Sequence, residues 1–414
     1  MAIVDIEVGL TDEQRAAQLT AHRFASEVLR PAGRQLDALT DPADVIADGS
    51  VLWKTRDRFR EMGLDLFESE IPEDPDELLN VAKLRYLVWE EMGWGDAGLA
   101  ISLGVAGFHK MFAQVSGNQV LLERYCSGSQ DTGCWAITEP DHGSDQLAVT
   151  QGVFKDSSMK PNCTARRDGD DYVISGQKAA WVSNGSIADV AVLFCAMLDG
   201  EGKGNGAAGE GGGVVGGGVV LVPLNSPGVS RGAPLDKLGQ RALNQGEIFF
   251  DEVRLPADYV VAGPGEYDFA LENTLVMANM SMGAMFTGLA RAALDHAVEY
   301  AHERVQGGRP IFEHQSVKAR LFRMFTRYEA SRALSRRVIT YNGTSPEPLL
   351  QYSIASKVFC TTSAFENASD AVQIFGGNGL SREYPVEKLL RDARASMIED
   401  GCNEVLSLVG ADSL

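Results

Sequence analysis

The sequence has no CxxC pair, no apolar run long enough to span a membrane and no GxGxxG after a strand, and it is short of positive charge. The six cysteines, Cys126, Cys134, Cys163, Cys195, Cys360 and Cys402, are scattered. That disfavours a zinc site and a disulfide framework, and it fits a reducing cytosol. The missing apolar run argues against a membrane span. Met1 to Gly9 is acidic, with no basic or apolar region, so neither a secretory signal nor a transit peptide is expected. Lys and Arg number 37 against 57 Asp and Glu, a net charge of −20. This balance argues against nucleic acid and against docking on anionic lipid, although a local positive site still suffices for a phosphate-bearing ligand. The missing GxGxxG disfavours a nicotinamide-binding Rossmann domain.

What is present falls into three blocks. At 414 residues the chain is long enough for two or three domains. Residues 1–132 read as an all-helical domain. Thr11 and Gln14 have capping-box spacing, and a helix is expected from there to Leu29, stopping near Pro31. Further helices are expected over 51–62, 78–92, 98–112 and 121–125. Residues 133–256 read as a β domain, with strand-like runs at 135–138, 171–175, 190–194, 219–223, 247–250 and 253–256. Inside it, Asp199 to Gly218 is glycine-rich and is expected to be a flexible insertion. Residues 257–414 return to helix. Helices expected over 270–303, 315–341 (with arginine on the outer face), 348–375 and after Tyr384 describe a four-helix bundle. The fold class is α+β multidomain.

One stretch organises the rest. Ala368, Ala371, Val372 and Phe375 run into Gly376-Gly377-Asn378-Gly379, where a helix must stop. A second helical pattern ends at Glu399-Asp400-Gly401-Cys402. Two helix ends beside two carboxylates point to a cofactor site, although a glycine pair alone marks only a turn.

Several separate motifs then occur in order. They are Thr138-Glu139-Pro140-Asp141-His142-Gly143-Ser144-Asp145, Gly176-Gln177-Lys178 with Trp181-Val182-Ser183-Asn184-Gly185, and Lys237-Leu238-Gly239-Gln240-Arg241. Glu303-Arg304-Val305-Gln306-Gly307-Gly308 with His314-Gln315 follows, and then the stretch from Gln373. Over nearly the whole chain this pattern resembles the acyl-CoA dehydrogenase family. The resemblance implies a helical domain, a β domain and a C-terminal four-helix bundle. It also implies FAD as cofactor, an acyl-CoA substrate, an electron-transfer flavoprotein or similar acceptor, and a homotetramer.

In that family a carboxylate takes the α-proton of an acyl thioester while a hydride leaves the β-carbon for the flavin. By resemblance, Ile137, Thr138 and Ser144 line the flavin or the CoA, and Trp181 and Ser183 contact the flavin ring. Arg304 and Gln306 would reach the FAD of a neighbouring subunit, and Gln373, Gly376 and Gly377 its ADP part. Gln315, Cys402 and Glu404 join the cofactor-binding set. The family's base lies eight residues after the aspartate of the Arg391-Asp392-Ala393 segment, directly before a glycine, and here that is Asp400. Glu399 takes that place only if the register slips by one. Aspartate is shorter than glutamate by one C–C bond, about 1.5 Å. The family's second base position falls near Ala278, and a substrate-anchoring arginine is replaced near Asn279. Together these departures point to a branched, cyclic or aryl-substituted acyl-CoA. Asp96 reads as a helix cap or as a second acid near a ring substrate. The same resemblance allows a catalytically silent partner subunit, or an enoyl-CoA reductase or acyl-CoA oxidase.

Overall fold

The computed structural model describes residues 5–63, 72–148, 159–200 and 213–414. The first helix, α1 (Asp12–Phe24), is capped as its spacing predicts. Thr11 Oγ1 accepts from Gln14 N at 3.2 Å, and Thr11 N donates to Gln14 Oε1 at 3.0 Å. The stop expected near Pro31 does not occur. A π turn at Ala25–Leu29 leads directly into α2 (Arg30–Asp37). The wider turn accommodates the hydrogen bond that proline cannot make, so the chain stays helical. Next come α3 (Val51–Glu61), α4 (Pro75–Gly95), α5 (Ala97–Ala106), α6 (Phe108–Ser116) and α7 (Gln119–Tyr125). The single helix expected over 98–112 is therefore two, broken at Gly107.

The middle region is one sheet. Its strands are β1 (Gly133–Ala136), β2 (Thr164–Asp168), β3 (Asp171–Ser183), β4 (Val190–Leu198), β5 (Val214–Pro223), β6 (Val229–Arg231), β7 (Gln245–Pro256) and β8 (Val260–Ala262). Their order is β6-β7-β3-β2-β4-β5-β8, with β1 parallel to β4. The β4 side chains separate with period two. Ala191, Leu193, Cys195 and Met197 enter a core within the sheet domain, whereas Val190, Val192 and Phe194 face the helices. The two runs expected at 247–250 and 253–256 form one strand, bent where Glu252 adopts φ 51°. The glycine-rich stretch is partly strand, because Val214 to Gly218 pair with β4. There a Cβ on Gly218 would sit 2.6 Å from the Met197 side chain. Residues 201–212 of the expected insertion lie outside the described residues.

The C-terminal region holds α8 (Tyr267–Glu303), α9 (Gln315–Thr344) and α10 (Leu350–Phe375). The fourth helix of the expected bundle is split into α11 (Val386–Ser396) and α12 (Asn403–Ala411). The arginines of α9 are not all on an outer face. Arg332 and Arg336 are 5% and 4% exposed, and Arg336 bonds Glu90 of α4 at 3.0 Å. A buried guanidinium requires such a partner, so the carboxylates of α4 turn this face of α9 inward. The α4 and α8 helices cross closely at two glycines. A Cβ on Gly93 would lie 1.8 Å from the Met285 carbonyl, and one on Gly288 1.9 Å from that of Glu90. Among the described residues, no helix is long and apolar enough to cross a membrane, and no cluster of His, Cys, Asp and Glu is placed to hold a metal ion.

Candidate active site

Two sequence motifs hold each other in place beside β3. Lys178 and Glu139 form a fully buried ion pair at 2.6 Å. Lys178 Nζ also donates to the Ile137 carbonyl at 2.9 Å, and Glu139 accepts from the Asn162 and Cys163 amides. With Ala179 N donating to Thr138 O at 2.9 Å, this fixes Ile137 and Thr138 beside β3. At the end of β3, Asn184 adopts φ 63° and is fully buried. Its side chain exchanges bonds of 2.7 and 2.8 Å with Ser102 on α5. That clamp orients Trp181 and Ser183. Trp181 is 58% exposed although Val182 beside it is buried.

The second part of the site is a narrow cavity between α4, α5, α6 and α8. Its volume is about 40 Å³. Its walls include three aromatic side chains (Trp89, Phe108 and Trp135) and three thioethers (Met277, Met282 and Met285). Ala278, Ser281 and Gly104 also line it, and among the described residues Asp400 supplies the sole ionisable side chain on its wall.

Asp400 lies in the turn between α11 and α12, with φ 52°. Gly401 follows at φ 95°, where the left-handed backbone favours glycine. The buried Lys357 of α10 holds this turn. Its Nζ donates to Gly401 O at 2.6 Å and to Asn403 Oδ1 at 2.8 Å. Burial pushes the Asp400 carboxyl up to about 6, opposed by the charge of Lys357. Burial likewise pushes Lys357 down to about 8.

Glu399 goes elsewhere. Its Oε1 accepts from Gln240 Nε2 at 2.5 Å, and Glu399 does not line the cavity. Gln240 is itself fixed, its backbone N donating to Asp392 Oδ1 at 2.5 Å. Burial and then the Asp400 charge push Glu399 up to about 7, against Gln240, Lys237 and Lys357.

The remaining expected residues divide. Ser144 meets the same turn, with its Oγ accepting from Cys402 N at 2.9 Å. Ala278 lines the cavity, but Asn279 is fully buried and back-bonds Leu275 O at 2.9 Å. Asp96 is not available to a substrate. Its Oδ1 accepts from Leu99 N at 2.9 Å, and its Oδ2 pairs with Lys388 Nζ at 2.6 Å. Both oxygens are committed to a cap and a buried ion pair, which are stronger demands than a passing ligand contact. Arg304, Gln306, Gln315, Gln373, Gly376, Gly377 and Glu404 are all exposed. The glycine turn is pinned from behind, where Asn378 Nδ2 donates to the Tyr300 hydroxyl at 2.9 Å and Tyr300 stacks on Phe375.

Residues 134–253 match the acyl-CoA dehydrogenase middle domain and residues 268–414 its C-terminal domain. The mitochondrial short-chain specific acyl-CoA dehydrogenase of Homo sapiens is 30% identical over 98% of this chain and 91% of its own length. The chain belongs to the acyl-CoA dehydrogenase family. Cyclohex-1-ene-1-carbonyl-CoA dehydrogenase of Geobacter metallireducens, another member, is 31% identical over 79% of this chain and 81% of its own. The solved butyryl-CoA dehydrogenase of Megasphaera elsdenii superposes with a TM-score of 0.80 at 25% identity, covering 99% of each chain. As an acyl-CoA dehydrogenase, the protein is an oxidoreductase acting on a CH–CH bond of an acyl-CoA, and members of the family are FAD-dependent.

Sequence reasoning gave no site role to Lys357, Gln240, Trp89 or Trp135. Lys357 did leave a signal. It shares a helical stripe with Ile354, Thr361, Ala364 and Ala368, all buried, so a lysine there requires interior acceptors.

Proposed function

We propose that this acyl-CoA dehydrogenase uses Asp400 as the base that removes the α-proton of a branched, cyclic or aryl-substituted acyl-CoA. One observation carries the reading: of the two adjacent carboxylates, Asp400 faces the apolar cavity beside Ala278 and Glu399 does not. The raised Asp400 carboxyl supports the role, since a base pushed toward neutrality by burial is better matched to a weak carbon acid. Lys357, by tethering Gly401, keeps the short aspartate pointed at the cavity. The ring preference rests on the wall chemistry, in which flat aromatic faces and adaptable thioethers suit a ring more than a thin straight chain.

The residues present fit FAD. Trp181 offers an open indole face next to Ser183 and the anchored Thr138. A Cβ built on Gly376 or Gly377 would meet nothing within 4 Å, which leaves the turn open to close approach. Trp181, Ser183, Ile137 and Thr138 would hold the ring, Ser144 the phosphate or CoA region, and Arg304, Gln306, Gln315, Gln373, Gly376 and Gly377 a neighbouring subunit's FAD in a homotetramer. Cys402 and Glu404 close the cofactor-binding set. When bound, FAD supplies the acceptor for the β-hydride. An electron-transfer flavoprotein as oxidant and a cytoplasmic location belong to the same proposal.

The test is anaerobic titration of the FAD-loaded protein with an acyl-CoA panel, followed as loss of flavin absorbance. Cyclohexanecarbonyl-CoA or a phenylpropanoyl-CoA is expected to bleach the flavin faster than butyryl-CoA. Asp400→Asn is expected to bind flavin and stay oxidised. Wild-type bleaching in Asp400→Asn would remove Asp400 as the base. A flavin left oxidised by every acyl-CoA would make the protein a silent subunit.

A further inference from the structure

Ser183 and Gln245 are register partners on the antiparallel strands β3 and β7, which puts their side chains on one face of the sheet. Trp181, two residues earlier on β3, shares that face, whereas Val182 between them is buried on the other. Gln245 is buried, and its amide is engaged at both ends. Its Nε2 donates to Ser183 Oγ at 3.2 Å and to the Trp181 carbonyl at 3.3 Å, and its Oε1 accepts from Lys237 Nζ at 2.8 Å. Lys237 is anchored in turn, donating to Leu243 O at 2.7 Å. Burial pushes Lys237 down to about 8, opposed by the charges of Glu399 and Asp392, so it is still an ammonium at neutral pH. An ammonium only donates and a carbonyl only accepts. Gln245 must therefore turn its oxygen to Lys237 and its nitrogen to Trp181, and it is an N–H that meets Ser183. Ser183 Oγ is thus an acceptor on that side, and its own proton has no acceptor among the described residues.

We propose that Gln245, held by Lys237, is a positioning residue that fixes which way the Ser183 hydroxyl donates, aiming its proton at an acceptor atom of the flavin ring. The inference rests on the reading that Ser183 contacts that ring. A serine hydroxyl left to itself rotates and can give or take a hydrogen bond. Here the Gln245 N–H occupies a lone pair of Oγ and repels the O–H from its own side. The half-buried Ser183 and the open face of Trp181 stand together where the ring would lie. A donor fixed in advance favours the negative charge that the ring gains with the hydride, with no reorientation needed at the moment of transfer. Lys237 matters because, without it, only the 3.3 Å bond to the Trp181 carbonyl would hold the amide this way round. Neither Gln245 nor Lys237 takes part in the proton or hydride transfer.

The experiment is a redox titration of the FAD-loaded holoenzyme at neutral pH, reading the flavin midpoint potential and visible spectrum, with thermal melting to report folding. Ser183→Ala is expected to lower the potential, to shift the flavin bands and to slow anaerobic flavin reduction by up to about tenfold, the worth of one hydrogen bond. Gln245→Glu keeps the side-chain size but replaces the N–H with an acceptor that draws the Ser183 proton back, so it is expected to lower the potential as well. Added to Ser183→Ala it should produce no further shift, because its effect runs through the hydroxyl. An unchanged potential in Gln245→Glu overturns the proposal. So does a shift that persists in full without the hydroxyl, since the new charge would then act on the flavin directly. If Gln245→Glu does not fold or load FAD, Gln245→Met decides. It leaves the hydroxyl undirected, with a potential expected between those of wild type and Ser183→Ala, and a wild-type potential overturns the proposal. A Ser183→Ala protein with unchanged potential and spectrum defeats the placement of Ser183 at the flavin, which is a different result from a Ser183→Ala shift that neither Gln245 variant reproduces.

Discussion

Lys357 Nζ lies 2.6 Å from the carbonyl oxygen of Gly401, the residue after Asp400. One buried ammonium on α10 therefore sets the position of a turn whose own backbone is strained, with Asp400 at φ 52° and Gly401 at φ 95°. The same ammonium moderates the burial that pushes Asp400 upward.

Lys357→Met removes both effects. The Gly401 carbonyl and Asn403 Oδ1 lose their donor, which is expected to destabilise the fold by about 1–3 kcal/mol. The Asp400 carboxyl rises further, because the charge that lowered it is gone. The acid limb of the pH–rate profile for flavin reduction therefore moves to higher pH. Misplacement of the base by about 1 Å is expected to slow reduction by up to roughly a hundredfold. Stopped-flow reduction across pH, together with urea denaturation, checks both parts.

The pH dependence of the wild type follows from Asp400 at about 6 and Glu399 at about 7. A base must be ionised, so flavin reduction is expected to fall as pH drops through about 6. Stability runs the opposite way. A carboxyl raised by folding binds its proton more tightly in the native state, so its contribution is full below the ordinary values of 3.8 and 4.5 and is lost as pH rises through about 6 and 7. Glu399→Gln and Asp400→Asn are therefore expected to melt above wild type on the alkaline side, with the gap closing in acid. Scanning calorimetry over a pH series tests this, and a gap that widens in acid contradicts it.

Gly401→Ala tests the turn by geometry. An added Cβ would sit 2.9 Å from Leu406 Cδ2 and 3.0 Å from Leu147 Cδ1, at a backbone angle that disfavours L side chains. The expected penalty is about 1–3 kcal/mol. The loss of turnover should exceed what that destabilisation explains, because the displaced turn carries Asp400. Normal turnover in a folded Gly401→Ala protein would show that the turn is not critical.

Lys388→Met tests the support behind the site. Lys388 Nζ bonds Asp96 at 2.6 Å and Asp392 at 2.5 Å, and all three residues are buried. Removing the cation leaves two buried carboxylates together, with an expected loss of about 3–5 kcal/mol. Because Asp392 also anchors Gln240, and Gln240 anchors Glu399, the variant should shift the Glu399 titration as well. Chemical denaturation reads the first effect, and NMR titration of the labelled carboxyl reads the second.

The sequence by itself determined the order of the blocks, most helix positions and the family. Those signals are local. The Thr11 capping box, the apolar run of β4 and the run from Thr138 to Asp145 are each contained in a few consecutive residues, so no distant contact is needed to read them. Tertiary structure decided what local patterns leave open. The helix continued past Pro31 through a π turn, and arginines of α9 turned inward because Glu90 was there to meet them. Asp96 went to Lys388 and not to the cavity. Glu399 and Asp400 are neighbours in the chain, yet Gln240 holds one while the other faces an apolar cavity. Which environment each carboxylate enters depends on the left-handed backbone at Asp400 and on side chains far away in sequence. Neither is encoded in the identity of the two residues, because burial and hydrogen bonding to distant partners exist only once the chain has folded.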